Sequence, residues 1–251
     1  LKHDLCSRPP GGAATRAMAA RSVGAFGPIR SPVFAPSGRE GARTEDRPVE
    51  GPALAHVHGF HAAARPAVLF LGEGRVAFAA GKLVVEFDLQ SHTQRFVHGH
   101  SDAVTCIASS AEQALGASGQ VRSAGAKCAE VLLWSLESMQ ICSTLLFHQA
   151  DVECVGFVRG GEVLASIGTD RDHTLAIWPA ARDGPLRLKR KDGAPLFVCS
   201  AYRSGGVHGL LSAPCAPDRP HQFATFGASH VKFWHSERQG PTALEGRRGA
   251  F

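Results

Sequence analysis

Histidines and cysteines are the residues of this sequence whose types and spacing could support metal or nucleophilic chemistry. His56, His58 and His61 lie close together, and alternation along a strand would place His56 and His58 on one face. Imidazoles on one face can bind zinc, but no neighbouring carboxylate or cysteine completes a set of four ligands. His98 and His100 form a second pair with the same deficiency. We therefore predict neither a metal site nor a bound cofactor.

Two cysteines next to histidine-containing segments could be considered nucleophiles. Cys106 and Cys154 lie in the similar runs VTCI (104–107) and VECV (152–155). Residues at equivalent positions of a repeat usually share a packing role, so we predict that both thiols are buried and that the chain is not an enzyme. The chain has seven cysteines at irregular spacing, which favours reduced thiols in an intracellular protein over a disulfide framework.

A short basic run is the candidate contact for an acidic partner. It comprises Arg187, Lys189, Arg190 and Lys191. The alternative is a solvated loop, which is the more common role of so short a run. No aromatic residue interleaves the positive charges, so single-stranded nucleic acid is not a predicted partner. The formal net charge of +5 is a mild indication of acidic partners.

Length and composition indicate a folded, water-soluble chain with an irregular start. The 251 residues are 44% hydrophobic, enough for an ordinary core. The best apolar run, 66–71, is far shorter than the roughly 20 residues of a membrane-spanning helix. Residues 1–52 are rich in proline and glycine without hydrophobic periodicity, so we predict disorder there. Their alanine and arginine content could also fit a transit peptide, but a linker in a fragment of a longer protein is the interpretation we favour.

The elements that would position these residues are short β-strands. After residue 52, runs of Val, Leu, Ile and Phe alternate with Gly, Asp, Ser and Pro, a pattern typical of an all-β fold, and helical periodicity is almost absent. The predicted strands, in four groups, are 67–71, 75–80, 83–88 and 93–97; 104–109, 114–118, 131–135 and 141–146; 152–158, 163–168, 175–178 and 185–188; and 194–200, 207–211, 222–226 and 231–235.

Three strands end in tryptophan after the same aliphatic or aromatic sequence. They are VLLW (131–134), LAIW (175–178) and VKFW (231–234), spaced 44 and then 56 residues apart. The first spacing matches the WD repeat of about 40–45 residues. The second requires an insertion, which we expect at 201–220. The repetition predicts a WD-repeat β-propeller.

A WD blade is braced by hydrogen bonds among a loop histidine, a strand Ser or Thr, a turn aspartate and the strand-ending tryptophan. The residues that match these positions are His100, Asp102 and Trp134; His148, Ser166, Asp172 and Trp178; and Thr225 and Trp234. The third repeat lacks the turn aspartate, because GASH (227–230) forms a shorter connection.

The segment before these repeats carries a closer resemblance. It contains HVHGF (56–60), VAFAAGKLVV (76–85) and QRFVHGH (94–100), and a later strand pair reads TFGASHVKFW (225–234). These runs resemble the echinoderm microtubule-associated protein-like family from its hydrophobic "HELP" motif onward. His56 and His58 depart from that pattern, since tyrosines are usual there. The resemblance implies a HELP-like blade at 53–98, WD blades at 99–238 and a tail at 239–251.

The resemblance also implies a function. It suggests part of a longer propeller, with three to four blades present of the roughly four to eight that close a ring. The implied partners are tubulin or microtubules and other proteins, with no nucleic acid and no membrane, in the cytoplasm and cytoskeleton and in the cilium. The alternatives are a WD-repeat scaffold in a ciliary or signalling complex without tubulin contact, and an enzyme built on a propeller, for which no acid pair or metal set is present.

Overall fold

The structure is a computed structural model that describes residues 53–180, 193–202, 206–213, 223–228, 230–236 and 244–248. The chain divides into two compact units, Leu1–Gly51 and Pro52–Phe251. All described residues belong to the second unit. The predicted disorder of residues 1–52, the predicted strand at 185–188 and the basic run all lie outside the described residues.

The second unit consists of four antiparallel sheets of four strands each, in which each strand pairs with the next along the chain. We call them blades 1 to 4. Blade 1 contains β1 (Leu69–Gly72), β2 (Arg75–Ala80), β3 (Leu83–Asp88) and β4 (Gln94–Val97); blade 2 contains β5 (Val104–Ser110), β6 (Leu115–Gln120), β7 (Glu130–Ser135) and β8 (Ile141–Leu146); blade 3 contains β9 (Val152–Val158), β10 (Val163–Gly168), β11 (Thr174–Pro179) and β12 (Phe197–Ser200); blade 4 contains β13 (Val207–Ser212), β14 (Phe223–Gly227), β15 (His230–Ser236) and β16 (Leu244–Arg248). The described residues include no helix. The predicted all-β, partial WD-repeat propeller is confirmed.

Two predicted assignments near the end of the chain are wrong. The strand predicted at 194–200 was placed in the fourth group, but β12 pairs with β11 and completes blade 3. As a consequence, the insertion expected at 201–220 is also misplaced: that range contains β13, and the connection between the third and fourth strands spans residues 180–196 in blade 3 against 136–140 in blade 2. The segment 239–251 is not simply a tail, because it contains β16, which pairs with β15 through Phe233 opposite Arg247. Both strands are too short for their alternation to reveal the pairing partner, with four residues in β12 and five in β16.

The hydrophobic core lies between the blades, where the facing sides of adjacent sheets pack together. One cluster joins blades 1 and 2, a second joins blades 2 and 3, and a third joins blades 3 and 4. Each strand-ending tryptophan is buried against the preceding blade: Trp134 on blade 1, Trp178 on blade 2 and Trp234 on blade 3. The tryptophans thus supply the largest apolar surface of each inter-blade contact.

The Trp134 ring fits because the strand beside it carries no side chain at the point of contact. Gly116 pairs with Trp134 across β6 and β7. A Cβ atom at this glycine would overlap the indole ring. A Gly116→Ala substitution would therefore force the buried ring to move. The glycine is a packing requirement of the blade and not a hinge.

Residues 64–66, which precede blade 1, contact the first strand of each of the other three blades. Residues 64–66 run parallel to β5, where Arg65 donates its backbone N–H to the carbonyl of Thr105 at 2.9 Å and accepts one from Ile107 at 3.2 Å. The Arg65 guanidinium then reaches Glu153 Oε1 of blade 3 at 3.3 Å and the carbonyl of Val207 in blade 4 at 3.1 Å. One residue therefore contacts three blades.

Candidate functional site

The buried polar network of blade 3 contains three residues that the sequence analysis selected. His148 Nε2 lies 2.7 Å from Ser166 Oγ, and Trp178 Nε1 donates to the same oxygen at 2.8 Å. All three side chains are buried. Ser166 lies on β10, His148 in the loop before β9 and Trp178 on β11. The network therefore holds that loop and β11 against β10.

The turn carboxylate of this blade is Asp170 and not, as expected, Asp172. Asp170 Oδ1 accepts the Thr174 hydroxyl at 2.8 Å, and its carboxylate also accepts backbone N–H groups of the turn. A Cβ atom on Gly168 would lie 2.7 Å from His148 Nδ1 and 2.8 Å from Asp170 Oδ2, so this carboxylate is beside the histidine. Asp172 lies further along the turn, is exposed and donates its N–H to Asp170. Two aspartates in one turn made the sequence ambiguous.

Blade 2 braces its histidine with two residues that the sequence analysis missed. His100 lies 2.7 Å from Ser118 Oγ and 2.7 Å from Gln120 Oε1. The expected Asp102 instead accepts the N–H of Ala103 at 2.8 Å in the turn before β5. Trp134 Nε1 is buried and has no hydrogen-bond partner among the described residues. Blade 2 thus keeps the histidine half of the brace without the tryptophan half.

Ser118 occupies the position in blade 2 that Ser166 and Thr225 occupy in blades 3 and 4. It pairs with Leu132, just as Ser166 pairs with Ala176, and Thr225 pairs with Lys232. Each hydroxyl therefore lies opposite the residue two positions before the strand-ending tryptophan. The loop at 121–129 is longer than its counterpart in blade 3, so counting along the chain conceals this equivalence.

Blade 4 keeps the tryptophan half of the brace. Trp234 Nε1 donates to Thr225 Oγ1 at 3.0 Å. Lys232 Nζ lies 3.9 Å from the centre of the Trp234 ring and donates to the carbonyl of Ser200 at 3.1 Å. This ammonium joins blade 4 to the end of blade 3 through a cation–π contact and a hydrogen bond.

Blade 1 has no tryptophan and is fastened by an ion pair between a buried glutamate and a partly exposed arginine, which the sequence analysis missed. Arg95 Nη2 donates to both carboxylate oxygens of Glu86, at 2.8 and 2.7 Å, and Glu86 is 3% exposed. Arg95 also donates to the carbonyls of Leu136 and Glu137 in the β7–β8 turn. The pair therefore holds blade 1 against blade 2. A glutamate within the apolar strand LVVEFD was the available signal.

We expect the two loop histidines, His100 and His148, to make the stability of the fold depend on pH. Burial lowers the pKa of His100 and of His148 to about 4 each. Each ring is neutral in the folded chain but takes up a proton near pH 6.5 when unfolded, so unfolding gains protons as the pH falls. We expect the free energy of unfolding to have its full value above about pH 6.5. It should decrease toward pH 4, by on the order of 2–3 kcal/mol per histidine.

Urea denaturation at pH 7.5 and pH 4.5 measures this dependence. A His148→Gln variant should show a smaller change between the two pH values than the parent chain, because one of the two protonation events is gone. His98→Gln is the control, since His98 is exposed. An equal pH dependence in the parent chain and in His148→Gln would contradict the assignment.

Among the described residues, the cysteines and histidines considered in the sequence analysis form neither a reactive thiolate nor a set of metal ligands. Burial raises the pKa of the Cys106 thiol to about 12 and also raises that of Cys154, so neither supplies a thiolate at neutral pH. The His56 and His58 rings lie 4.4 Å apart, but within the described ranges no group of three or more His, Cys, Asp or Glu side chains could hold a metal ion. No described helix has the length and apolarity to cross a bilayer. The basic run of Arg187, Lys189, Arg190 and Lys191 lies outside the described residues.

Comparison with known proteins gives several relatives but no matching family model. Cilia- and flagella-associated protein 52 of Chlamydomonas reinhardtii is 32% identical over 130 residues, which cover 51% of this chain and 21% of that protein. Echinoderm microtubule-associated protein-like 2 of Rattus norvegicus is 26% identical over 191 residues, covering 70% of this chain and 27% of that protein. WD repeat-containing protein 90 of Xenopus tropicalis is 26% identical over 66% of this chain and 8% of its own length.

One chain in a crystal structure of the mitotic checkpoint complex aligns with a TM-score of 0.48 and 24% identity, covering 64% of this chain and 46% of that chain. This chain spans between 8% and 27% of the length of the three curated relatives. Three observations indicate the same fold, a WD-repeat β-propeller: the four-stranded sheets, the sequence relatives, and the braces around Ser166, Ser118 and Thr225. The chain is a WD-repeat β-propeller protein whose homologues include the echinoderm microtubule-associated protein-like and the cilia- and flagella-associated proteins.

Proposed function

We propose that this chain is a non-catalytic interaction module of a cytoskeletal protein and that it associates with microtubules by binding tubulin. The observation that carries this proposal is the similarity to echinoderm microtubule-associated protein-like 2, which extends over 70% of the chain. The site of action would be the cytoplasm and cytoskeleton, including the cilium. The segment 53–98 would correspond to the HELP-like part of the module.

The architecture suits a binding role. Each blade is fastened by a buried polar contact, as with Ser166 in blade 3 and Glu86 in blade 1, so the loops at the blade edges are presented by a rigid framework. Binding residues are commonly carried on loops held by such a scaffold. The net charge of +5 favours approach to an acidic surface. The buried thiols of Cys106 and Cys154 support the non-catalytic part of the proposal.

A WD-repeat scaffold in a ciliary complex, without tubulin contact, is the second candidate function. Cilia- and flagella-associated protein 52, at 32% identity, is the observation that favours it. Both candidates use the blades to bind proteins. They differ in whether purified tubulin alone is a sufficient partner.

Cosedimentation with taxane-stabilised microtubules across a salt series tests the first candidate. We expect the full chain to pellet at low salt and to be released as salt rises, because contacts between exposed charges are screened beyond about 10 Å at 0.1 M ionic strength. A folded chain that stays in the supernatant at low salt would contradict tubulin binding and favour the scaffold function.

A charge-reversal pair identifies the contact. Arg187→Glu with Lys189→Glu should reduce the pelleted fraction severalfold if the basic run binds tubulin, since each reversal replaces an attraction with a repulsion. Lys82→Glu with Arg171→Glu is the matched control, because both side chains are exposed on other loops and the net charge change is the same. Equal loss of binding in both double variants would assign the effect to overall charge and not to this run.

A further inference from the structure

Residues 53–60, which we call the N-terminal strap, contact blade 1 on the side that faces away from blade 2. Val57 donates its N–H to Gln94 Oε1 at 2.7 Å, and the Val57 carbonyl accepts from Gln94 Nε2 at 3.0 Å. Phe60 contacts Phe78 edge to face, with ring centres 6.4 Å apart. Two hydrogen bonds to β4 and an aromatic contact to β2 therefore attach the strap to the blade.

The Gln94 side chain also determines which nitrogen of His56 carries the proton. The orientation of its amide is fixed by Val57, because the oxygen must face the N–H and the nitrogen must face the carbonyl. Gln94 Nε2 lies 3.2 Å from His56 Nε2. An amide nitrogen can only donate, so His56 Nε2 must accept and the ring proton must lie on Nδ1. An imidazolium carries protons on both nitrogens, so protonated His56 cannot make this contact.

A second imidazole in the strap also opposes protonation. The His58 ring lies 4.4 Å from the His56 ring, centre to centre. Two positive charges at this distance repel each other. Within the described ranges, neither ring forms an ion pair with a carboxylate that would offset the repulsion. Protonation therefore removes an attractive contact and introduces a repulsive one.

The charged side chains of the strands that the strap contacts are bound elsewhere. They are Arg75, Glu86, Asp88 and Arg95. Both arginines contact Glu86, and Asp88 accepts two backbone N–H groups in its own turn. Two further imidazoles, His92 and His98, contact Phe87 and Phe96. The titratable groups left beside the strap are thus histidines, which add positive charge as the pH falls.

We propose that the N-terminal strap is a pH-sensitive clasp, attached to blade 1 while His56 is neutral and released when His56 and His58 take up protons. Imidazoles change charge between about pH 5 and pH 8, so release occurs as the pH falls through this range. Release gives water access to Phe78. The strap contacts only part of this face, since Phe70 is 74% exposed, so the core between the blades stays intact. This proposal does not depend on tubulin binding.

His61, immediately after the strap, provides the internal contrast. Its Nδ1 lies 3.0 Å from the carbonyl oxygen of Val104. A carbonyl oxygen only accepts, so His61 Nδ1 donates, and it can donate equally well from the neutral and the protonated ring. Protonation of His61 therefore leaves its hydrogen bond in place, whereas protonation of His56 breaks one.

Long-range proton–nitrogen NMR of the full chain tests the hydrogen-bond assignment. At about pH 8 we expect His56 to carry its proton on Nδ1, the opposite of the form that predominates in a free histidine side chain. The Val57 amide resonance should then shift together with the His56 ring as the pH is lowered to about 5. A proton on Nε2 of neutral His56, or a Val57 amide that does not respond, would overturn the proposal.

Hydrogen exchange at the Val57 amide measures release of the strap. After correction for the intrinsic effect of pH, exchange should be about tenfold faster at the acid end of the range, the effect of losing roughly one hydrogen bond. His56→Gln keeps an acceptor but cannot be protonated, so it should abolish the acceleration. His61→Gln is the matched control and should exchange like the parent chain. Acceleration that persists in His56→Gln, or that disappears in both variants, would contradict a clasp controlled by His56.

Discussion

Replacing Trp178 with alanine is expected to lower the free energy of unfolding by about 3–5 kcal/mol. The indole is 1% exposed and lies in the cluster that joins blades 2 and 3. The substitution leaves a cavity between two blades and removes the donor that Ser166 accepts at 2.8 Å. Urea denaturation monitored by circular dichroism measures the change. A loss below about 1 kcal/mol would show that the inter-blade contact does not depend on this ring.

Phenylalanine at the same positions separates packing from hydrogen bonding. Trp178→Phe loses the bond to Ser166, whereas Trp134→Phe loses none, because Trp134 Nε1 has no partner among the described residues. Trp178→Phe should therefore cost about 1 kcal/mol more than Trp134→Phe, the usual net contribution of one hydrogen bond. Equal costs in blades 2 and 3 would contradict this difference between the two braces.

Arg95→Leu is expected to destabilise the fold by about 1–3 kcal/mol, because it leaves the buried carboxylate of Glu86 without its main partner, while the 42% exposure of the Arg95 side chain keeps the cost below that of a fully buried pair. Glu86 would remain buried, with Arg75 3.6 Å away as its remaining ion-pair partner, and the contacts to the β7–β8 turn would be lost. Thermal or urea denaturation measures the loss. The double variant Glu86→Leu with Arg95→Leu should recover much of it, since neither charge is then left alone in the interface.

An exposed ion pair provides the control for Arg95→Leu. Arg159 lies 3.1 Å from Glu162, but half of the Glu162 side chain is exposed to water. Arg159→Leu should change the free energy of unfolding by less than about 1 kcal/mol. A large effect there, or a double variant at Glu86 and Arg95 as unstable as the single one, would contradict the special role of the blade 1 pair.

The sequence predicts the strands best where hydrophobic alternation is strong. The predicted ranges 75–80, 83–88 and 141–146 coincide with β2, β3 and β8, because each is bounded by turn residues on both sides. The end of the chain was harder to assign. Pairing of β12 and β16 depends on which strand lies nearby in space, and sequences of four and five residues do not contain that information.

The bracing residues were predictable only in part, because a side chain's role depends on the hairpin that carries it. Trp178 and Ser166 are separated by a short turn, so spacing along the chain located them. Ser118 lies behind a longer loop and was missed. Glu86 was missed for a different reason: a charge in an apolar strand becomes a fastening only when Arg95 is paired beside it, and the register of two strands decides that.

Arg65 bears on how the array unfolds. Stacked repeats that contact only their neighbours can lose one end while the other stays intact. Here one side chain near the start of blade 1 is bonded to Glu153 and to the carbonyl of Val207, across 88 and 142 residues of chain. Fraying of blade 4 would therefore release a contact made by the segment that precedes blade 1. Amide hydrogen exchange in the first and last blades should rise together, which is the behaviour of one cooperative unit and not of a stack of independent ones.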